Sequence, residues 1–143
     1  MEEELKLDNQ LCFRLYVASR NMTRLYQPLL DKYHLTYPQY IILLALFEQE
    51  VFDFKELTKK VDLKPGTLTP IVNKIEEIGY LVKVKNENDA RKINVSLTPR
   101  GRELREDIID VPLQLGETLN ITIKEYRTLV EELDNLITKM KEV

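Results

Sequence analysis

The sequence has 143 residues, of which 43% are hydrophobic and 31% charged, a composition typical of one globular domain. Its one cysteine and one histidine exclude an intrachain disulfide and argue against a metal centre or histidine-based catalysis. No apolar run approaches the ~20 residues that span a bilayer, and the acidic start, Met1 to Glu4, lacks the basic residues of a secretory signal. We therefore expect a cytoplasmic protein that has no membrane partner.

The charge is unevenly distributed along the chain. The formal net charge is −3, but residues 55–105 contain 12 Lys or Arg and 7 Asp or Glu, a net charge of +5. The remaining residues carry a net charge of −8. A basic middle between acidic ends favours a central lobe that binds nucleic acid, because phosphate groups attract clustered Lys and Arg.

Helix starts are marked by capping signals, in which a short polar side chain accepts from free backbone N–H groups. These signals are Thr36 with Gln39, Asp53 with Glu56, Thr98 before Pro99, and Thr122 with Glu125. Together with the hydrophobic period they predict helices at residues 8–33, 37–48, 54–61, 65–78, 99–114 and 123–141. We expect Pro28 to kink or break the first helix, and Pro112 and Gly116 to bend the fifth.

The hydrophobic period changes to two at residues 80–85 and 92–97, which predicts two strands. Residues 86–91 between them are polar and turn-rich, so the two strands are predicted to form a hairpin with a charged tip. A short helix, a tight turn, a second helix and a hairpin, in this order, form a winged helix-turn-helix. The predicted fold class is mainly α with a small β-hairpin wing (α+β).

The recognition helix would be the one at residues 65–78, because it follows the tight turn Asp62-Leu63-Lys64. Its first turns carry glycine and hydroxyl residues, which let the backbone approach DNA closely and let Thr methyl groups contact thymine. Arg91 at the hairpin tip suits a narrow minor groove. The candidate DNA contacts are Lys59, Lys64, Pro65, Gly66, Thr67, Thr69, Asn73, Lys74, Asp89, Arg91 and Lys92.

Over essentially its whole length the sequence resembles the MarR family of transcriptional regulators. The resemblance rests on Asp89-Ala90-Arg91, on Leu97-Thr98-Pro99-Arg100-Gly101 and on Gly66-Thr67-Leu68-Thr69-Pro70. It implies that Arg91 enters the minor groove and that Asp89 helps to orient the wing. One departure is Lys64-Pro65, where relatives often have an acidic residue and a small hydroxyl residue. This departure bears on operator preference.

A homodimer is expected on two grounds. The first and last predicted helices each carry an apolar stripe, and a chain of this size cannot easily bury both internally. The resemblance implies the same arrangement, with dimerisation helices at about 1–34 and 112–143 and a DNA-binding lobe at about 37–105. A two-fold dimer would place its recognition helices ~34–36 Å apart on a pseudo-palindromic site in double-stranded DNA.

Cys12 lies near the start of the first predicted helix, where the partial positive charge of a helix N-terminus favours the thiolate. Tyr16 follows at i+4 on the same face. Tyr26 lies ~21 Å further along the axis, so it can meet Cys12 only across a dimer of antiparallel helices. Tyr37 opens the second helix and is placed to reach that interface. The residues alone leave a second reading open, in which Cys12 is a small buried apolar residue and the tyrosines are core or interface.

The same region resembles the one-cysteine organic-hydroperoxide regulators (OhrR type). The resemblance rests on Asn9 to Phe13 with Tyr16, on Tyr26 to Leu30 and on Thr36 to Tyr40. It implies a redox-sensor site that consists of Cys12, Tyr16, Tyr26 and Tyr37. A reduced dimer would repress, and hydroperoxide would oxidise Cys12 to sulfenic acid, which a low-molecular-weight thiol could then cap. No cofactor is expected.

Three alternatives stay open at this point. A regulator of this fold could respond to a small phenolic ligand between the lobe and the dimer helices, or act as a broader redox-responsive global regulator. A cysteine-dependent enzyme would pair Cys12 with His34, but no Gly-rich loop or oxyanion donor accompanies them, so we expect no enzyme. A winged-helix module that binds protein is disfavoured by the basic middle and by Arg91.

Overall fold

The computed structural model describes residues 2–143, and its elements fall into two compact units that meet in sequence after Ile108. The first unit contains α1 (Leu11–Leu30), α2 (Tyr37–Glu48), β1 (Val51–Asp53), α3 (Phe54–Val61), α4 (Pro65–Ile78), β2 (Leu81–Lys85), β3 (Ile93–Leu97) and α5 (Pro99–Ile108). The second contains α6 (Val111–Leu119) and α7 (Ile123–Lys141). Short 3₁₀ turns occupy Glu3–Leu5, Leu7–Asn9 and Asp31–Tyr33. The predicted fold class, mainly α with a small sheet, is confirmed.

The capping signals begin helices where the sequence places them. The hydroxyl of Thr36 accepts from the backbone N–H of Gln39 at 3.4 Å, and the Gln39 side chain accepts from the Thr36 N–H at 3.0 Å. Asp53, Thr98 and Thr122 each accept from the backbone N–H three residues on. Because each cap satisfies a donor that the helix leaves unpaired, these starts are local properties of the chain.

Two predicted helices are corrected by the structure. The helix expected at residues 8–33 is α-helical only from Leu11 to Leu30, and it runs two residues past Pro28 before a 3₁₀ turn replaces it. The helix expected at residues 99–114 ends at Ile108, and a separate helix begins at Val111 with Pro112 in its first turn. Proline fits there because its fixed φ suits a helix start, so a new helix forms where a bend was expected.

The predicted hairpin is part of a three-stranded antiparallel sheet with the order β1–β3–β2. The missed strand is β1, whose Phe52 lies opposite Val95 of β3. Both residues face the core, Phe52 with 6% of its surface exposed and Val95 with none. The wing is therefore supported by a third strand.

The core of the first unit is built around α2, which packs against α1, α3, α4 and α5. Its fully buried aliphatic side chains come from every layer of the unit: Leu30, Leu35, Ile42, Leu43, Leu46, Leu57, Leu68, Val72, Ile75, Leu81 and Val95. This packing holds α4 by one face and leaves its other face in solvent.

The second unit exposes its apolar side chains. No residue of α7 is buried, and seven of its large apolar side chains are exposed: Ile123, Tyr126, Leu129, Val130, Leu133, Ile137 and Met140. Between α6 and α7 lies an open groove of about 710 Å³, lined mainly by apolar surface. None of the helices within residues 2–143 combines the length and the hydropathy that a membrane-spanning helix needs.

Candidate DNA interface and thiol site

The turn between α3 and α4 is formed by three residues, as the sequence predicts. Asp62 ends α3 in the left-handed conformation with φ 55°, and the Leu63 N–H donates to the Thr58 carbonyl at 3.1 Å. Lys64 is extended, and Pro65 then opens α4. This reversal brings the lysines at the end of α3 close in sequence and space to the start of the recognition helix.

The outward face of α4 consists mainly of small side chains in its first turns. Leu68, Val72 and Ile75 are fully buried beneath it, whereas Pro65, Gly66, Thr67, Thr69 and Lys74 are exposed. A Cβ built on Gly66 would meet nothing within 4 Å, so the protein's own packing does not require a glycine there. The absence of a side chain instead leaves the backbone open to an external ligand.

The polar groups on α4 differ in how far they are committed to internal partners. The Thr69 hydroxyl donates to the Pro65 carbonyl at 2.9 Å, which leaves its methyl group and lone pairs for an outside partner. Lys74 lies 3.6 Å from Glu77, in an exposed pair of little energetic weight. Asn73 is half-buried and accepts a hydrogen bond from Lys83 of β2.

The wing tip is organised by two acceptors, Asn86 and Asp89. The Asn86 side chain accepts from the backbone N–H groups of Asn88 at 2.9 Å and Asp89 at 3.2 Å. Asp89 accepts from the Arg91 N–H at 3.0 Å and from its Nε at 3.2 Å. The Arg91 guanidinium holds the pKa of Asp89 below its usual value, through its side-chain hydrogen bond first. The Arg91 side chain itself is 91% exposed. The wing tip therefore presents a cation to solvent, and Asp89 holds that cation in place through its hydrogen bonds to Arg91.

The wing and α4 are joined at their shared end. Gly79 closes α4 with φ 100°, and its carbonyl accepts from the Thr98 hydroxyl at 2.6 Å. The Thr98 N–H donates to the Tyr80 carbonyl at 3.1 Å, and Arg100 donates to the Ile78 carbonyl at 2.6 Å. The outward face of α4 and the Arg91 tip therefore belong to one connected lobe.

The remaining candidate cations surround this lobe. Lys59, Lys64 and Lys92 are exposed, and among the described residues none of them has a carboxylate within ion-pair distance. Lys60, in contrast, pairs with Glu48 at 2.6 Å. The positive charge that flanks α4 is thus available to phosphate.

The thiol site is divided between the two ends of α1. Cys12 is the second residue of the helix and is exposed. Tyr16, one turn later, is 60% exposed, and the Arg20 guanidinium lies 4.3 Å from the centre of its ring. Tyr26, near the other end, is buried, with its ring 5.3 Å from Tyr37. Within one chain the structure brings Tyr26 and Tyr37 together but not Cys12, as helix geometry requires.

Three side chains at these sites were missed by the sequence reasoning. Tyr40 packs on Tyr26 at 5.4 Å between ring centres, and its i+3 spacing from Tyr37 was a usable signal. Arg20 follows Tyr16 at i+4, which was also visible in the sequence. Lys83 gave no local signal, because its contact with Asn73 depends on how β2 packs against α4.

Comparison with known proteins identifies the family. Residues 24–108 match the family described as transcriptional regulator SarA/Rot. The chain is 41% identical over 138 residues to the organic hydroperoxide resistance transcriptional regulator of Bacillus subtilis, which covers 92% of this chain and 94% of that protein. It is 38% identical to the HTH-type transcriptional regulator SarZ of Staphylococcus epidermidis, over 96% of this chain and 93% of that protein.

The fold also resembles that of a solved DNA-bound regulator. Reduced AbfR bound to DNA superposes with a TM-score of 0.79 at 27% identity, over 99% of this chain and 100% of that one, and AbfR comes from Staphylococcus epidermidis. These matches confirm the predicted family. They also confirm the prediction that the chain is a transcriptional regulator and not an enzyme. The chain belongs to the SarA/Rot-type transcriptional regulators of the MarR family.

Proposed function

We propose that this chain is a sequence-specific DNA-binding repressor that leaves its operator when an organic hydroperoxide oxidises Cys12. The observation that carries the DNA-binding part is the connected lobe, in which Thr98 and Arg100 tie α4 to the wing. A recognition helix and a wing that move together can contact adjacent grooves in one fixed register. The relatives that are named as a hydroperoxide regulator and as a DNA-bound reduced protein support both halves of the proposal.

Each candidate contact has a defined task in this proposal. The small residues at the start of α4 let its backbone approach the major groove, where Thr67, Thr69 and Asn73 meet base edges or phosphate. Arg91 enters the minor groove while Asp89 supports it. The other contacts are Lys59, Lys64, Pro65, Gly66, Lys74 and Lys92, which position the lobe on the backbone. Because the ligand is chromosomal DNA, we place the protein in the cytoplasm.

The dimer is proposed from the exposed apolar surface at both ends of the chain. The apolar face of α7 has no buried residue within one chain, and Leu5, Leu7 and Leu11 are each at least 60% exposed. Removing such surface from water is favourable by about 25 cal/mol per Å². We assign residues 1–34 and 112–143 to dimerisation and 37–105 to the DNA-binding lobe. Two lobes related by a two-fold axis would read a pseudo-palindromic operator.

The redox step is proposed for the exposed thiol of Cys12. Its thiolate attacks the distal oxygen of ROOH, the O–O bond breaks, and the leaving alkoxide takes a proton to give ROH and Cys12 sulfenic acid. A low-molecular-weight thiol R′SH then forms the mixed disulfide and releases water. Because α1 carries the thiol near one end and the Tyr26–Tyr37 cluster near the other, antiparallel packing of two α1 helices would bring each thiol to the other chain's cluster.

Release follows from the size of the product. A sulfur that carries a bulky substituent no longer fits against a tyrosine cluster packed at 5.3 Å between ring centres. The two α1 helices must then shift, which changes the spacing of the recognition helices on the operator. Tyr16, exposed at i+4 from Cys12, lies on the same side of the helix and completes the proposed sensor site.

The test is an anisotropy titration of labelled DNA from the protein's own promoter. Reduced protein is measured before and after one equivalent of cumene hydroperoxide with a small thiol present, and Cys12→Ser is the matched control. We expect wild type to leave the DNA and Cys12→Ser to stay bound. If both proteins leave, the oxidant acts elsewhere. If both stay, the thiol is not the sensor, and salicylate-like ligands are the next compounds to titrate.

A further inference from the structure

One cluster links the recognition helix to the wing through side chains. The backbone N–H of Lys83 in β2 donates to Glu76 Oε2 at 2.8 Å, and Lys83 Nζ lies 3.6 Å from Glu76 Oε1. The same ammonium group donates to Asn73 Oδ1 of α4. Glu76 and Lys83 are each about one-third exposed, at 34% and 32% of the side-chain surface. Glu76 therefore holds Lys83, and Lys83 holds Asn73.

The ammonium group decides which end of the Asn73 amide faces it. Lysine has three N–H donors and no acceptor, whereas an asparagine amide has an oxygen acceptor at one end and an NH₂ donor at the other. Only the oxygen can accept from Lys83, and a turned amide would place an NH₂ group against a cation. The hydrogen bond from Lys83 therefore fixes the orientation of the Asn73 amide.

We infer that Lys83 determines the base preference of Asn73 by holding its amide oxygen, so that the Nδ2 donors make the stronger contact with DNA. The inference rests on the proposed function, because it requires that Asn73 reaches a base edge. Asn73 lies four residues after Thr69 and seven after Gly66, which places it on the same outward stripe of α4.

The consequence for recognition is a change in the usual asparagine code. Asparagine reads adenine by two hydrogen bonds, one donated to N7 and one accepted from the N6 amino group. The Lys83 ammonium group uses one of the two lone pairs of Oδ1 and makes the oxygen a poorer acceptor at the other, so the second bond is weakened. An amide that chiefly donates matches a base edge with acceptors alone, which is guanine with N7 and O6 or thymine with O4. We therefore expect guanine or thymine, not adenine, opposite Asn73.

A direct phosphate contact by Lys83 would be the competing role, and the geometry disfavours it. Lys83 Nζ already has a carboxylate at 3.6 Å and an amide oxygen as partners. A phosphate contact would lower affinity equally for every base when removed, whereas a positioning role changes the ratio of affinities among bases.

The experiment measures relative affinities for an operator library in which each position is varied, using full-length reduced protein. Asn73→Ala first locates the position whose preference disappears. At that position wild type should favour guanine or thymine over adenine by about tenfold. Lys83→Met should raise the relative affinity for adenine about fivefold or more, because the amide can then turn. Lys83→Arg should keep the wild-type preference, since a guanidinium also only donates.

Each outcome is decisive because a preference is a ratio within one protein preparation, which partial unfolding does not alter. A wild-type preference for adenine at the Asn73 position overturns the inference. So does a Lys83→Met profile equal to wild type, or a uniform loss of affinity over all bases. In those cases DNA binding itself still stands. If Asn73→Ala changes the base preference at no operator position, Asn73 contacts no base and the inference fails. If wild type binds no operator, the proposed function fails as well.

Discussion

Changing either of two glycines in the lobe to alanine is expected to have opposite effects on stability and on DNA affinity. A Cβ on Gly101 would lie 2.6 Å from Leu97 Cδ1 and even closer to the backbone carbonyl oxygen of Tyr80. That carbonyl accepts from the Thr98 N–H at 3.1 Å, so it cannot retreat without breaking the joint between wing and α5. A Cβ on Gly66 would meet nothing within 4 Å.

The magnitudes follow from these environments. Overpacking of this kind costs about 1–3 kcal/mol, and the backbone neighbour places Gly101→Ala in the upper half of that range. For a chain of this length we expect the melting temperature to fall by roughly 7–10 °C. Gly66→Ala should leave stability unchanged or raise it by up to ~0.5 kcal/mol, because alanine has the better helix propensity. It should nevertheless weaken operator binding by about tenfold, since the new methyl group lies on the face proposed to meet DNA.

The assays are urea unfolding followed by circular dichroism at one fixed protein concentration, and DNA anisotropy for both variants. In the absence of urea, at a protein concentration at which it is fully folded, Gly101→Ala should keep most of its affinity for DNA. Equal stability of Gly101→Ala and wild type would refute the packing argument. Unchanged DNA affinity of Gly66→Ala would refute the proposed approach of the α4 backbone.

Three further predictions concern the wing, a helix cap and the dimer. Arg91→Ala should weaken operator binding at least tenfold, and Arg91→Lys should restore the salt dependence measured by anisotropy but only part of the affinity. The backbone N–H of Glu56 is the main cause of the lowered pKa of Asp53. The cap therefore stabilises the fold fully above about pH 4, and this contribution is lost as pH falls through the lowered pKa. Asp53→Ala should cost about 1 kcal/mol at neutral pH in urea unfolding, and the cost should shrink as the pH is lowered below about 4. Leu133→Glu should sediment as a monomer while Asn135→Glu, with the same charge on the opposite side of α7, should stay dimeric; two monomers or two dimers would contradict the proposed interface.

The secondary structure of the lobe was largely predictable because its signals are local. The capping pair Thr36 and Gln39 begins α2 where the sequence places it. The change of hydrophobic period at residue 80 marked the wing, and Asp62 marked the turn before α4. These features depend on side chains within four residues of each other, so no knowledge of the rest of the chain is needed.

Strand β1 and the break between α5 and α6 were not predictable in the same way. β1 has three residues, too few for an alternating pattern, and it exists because Phe52 pairs with Val95 across 43 positions of sequence. Pro112 was read as a bend inside a helix, although the same residue is equally suited to begin one. In both cases a local pattern has two solutions, and packing selects between them.

The functional residues divide along the same line. By itself the sequence determined the family, the recognition helix, the wing with Asp89 and Arg91, and the position of Cys12 at a helix start. Only the tertiary structure decided that Gly101 is required by packing while Gly66 is not, and that Lys83 commits the oxygen of Asn73. The physical reason is that residue type and spacing define what a side chain can donate, accept or fill. Which of these capacities is already used depends on neighbours that only the folded chain brings into contact.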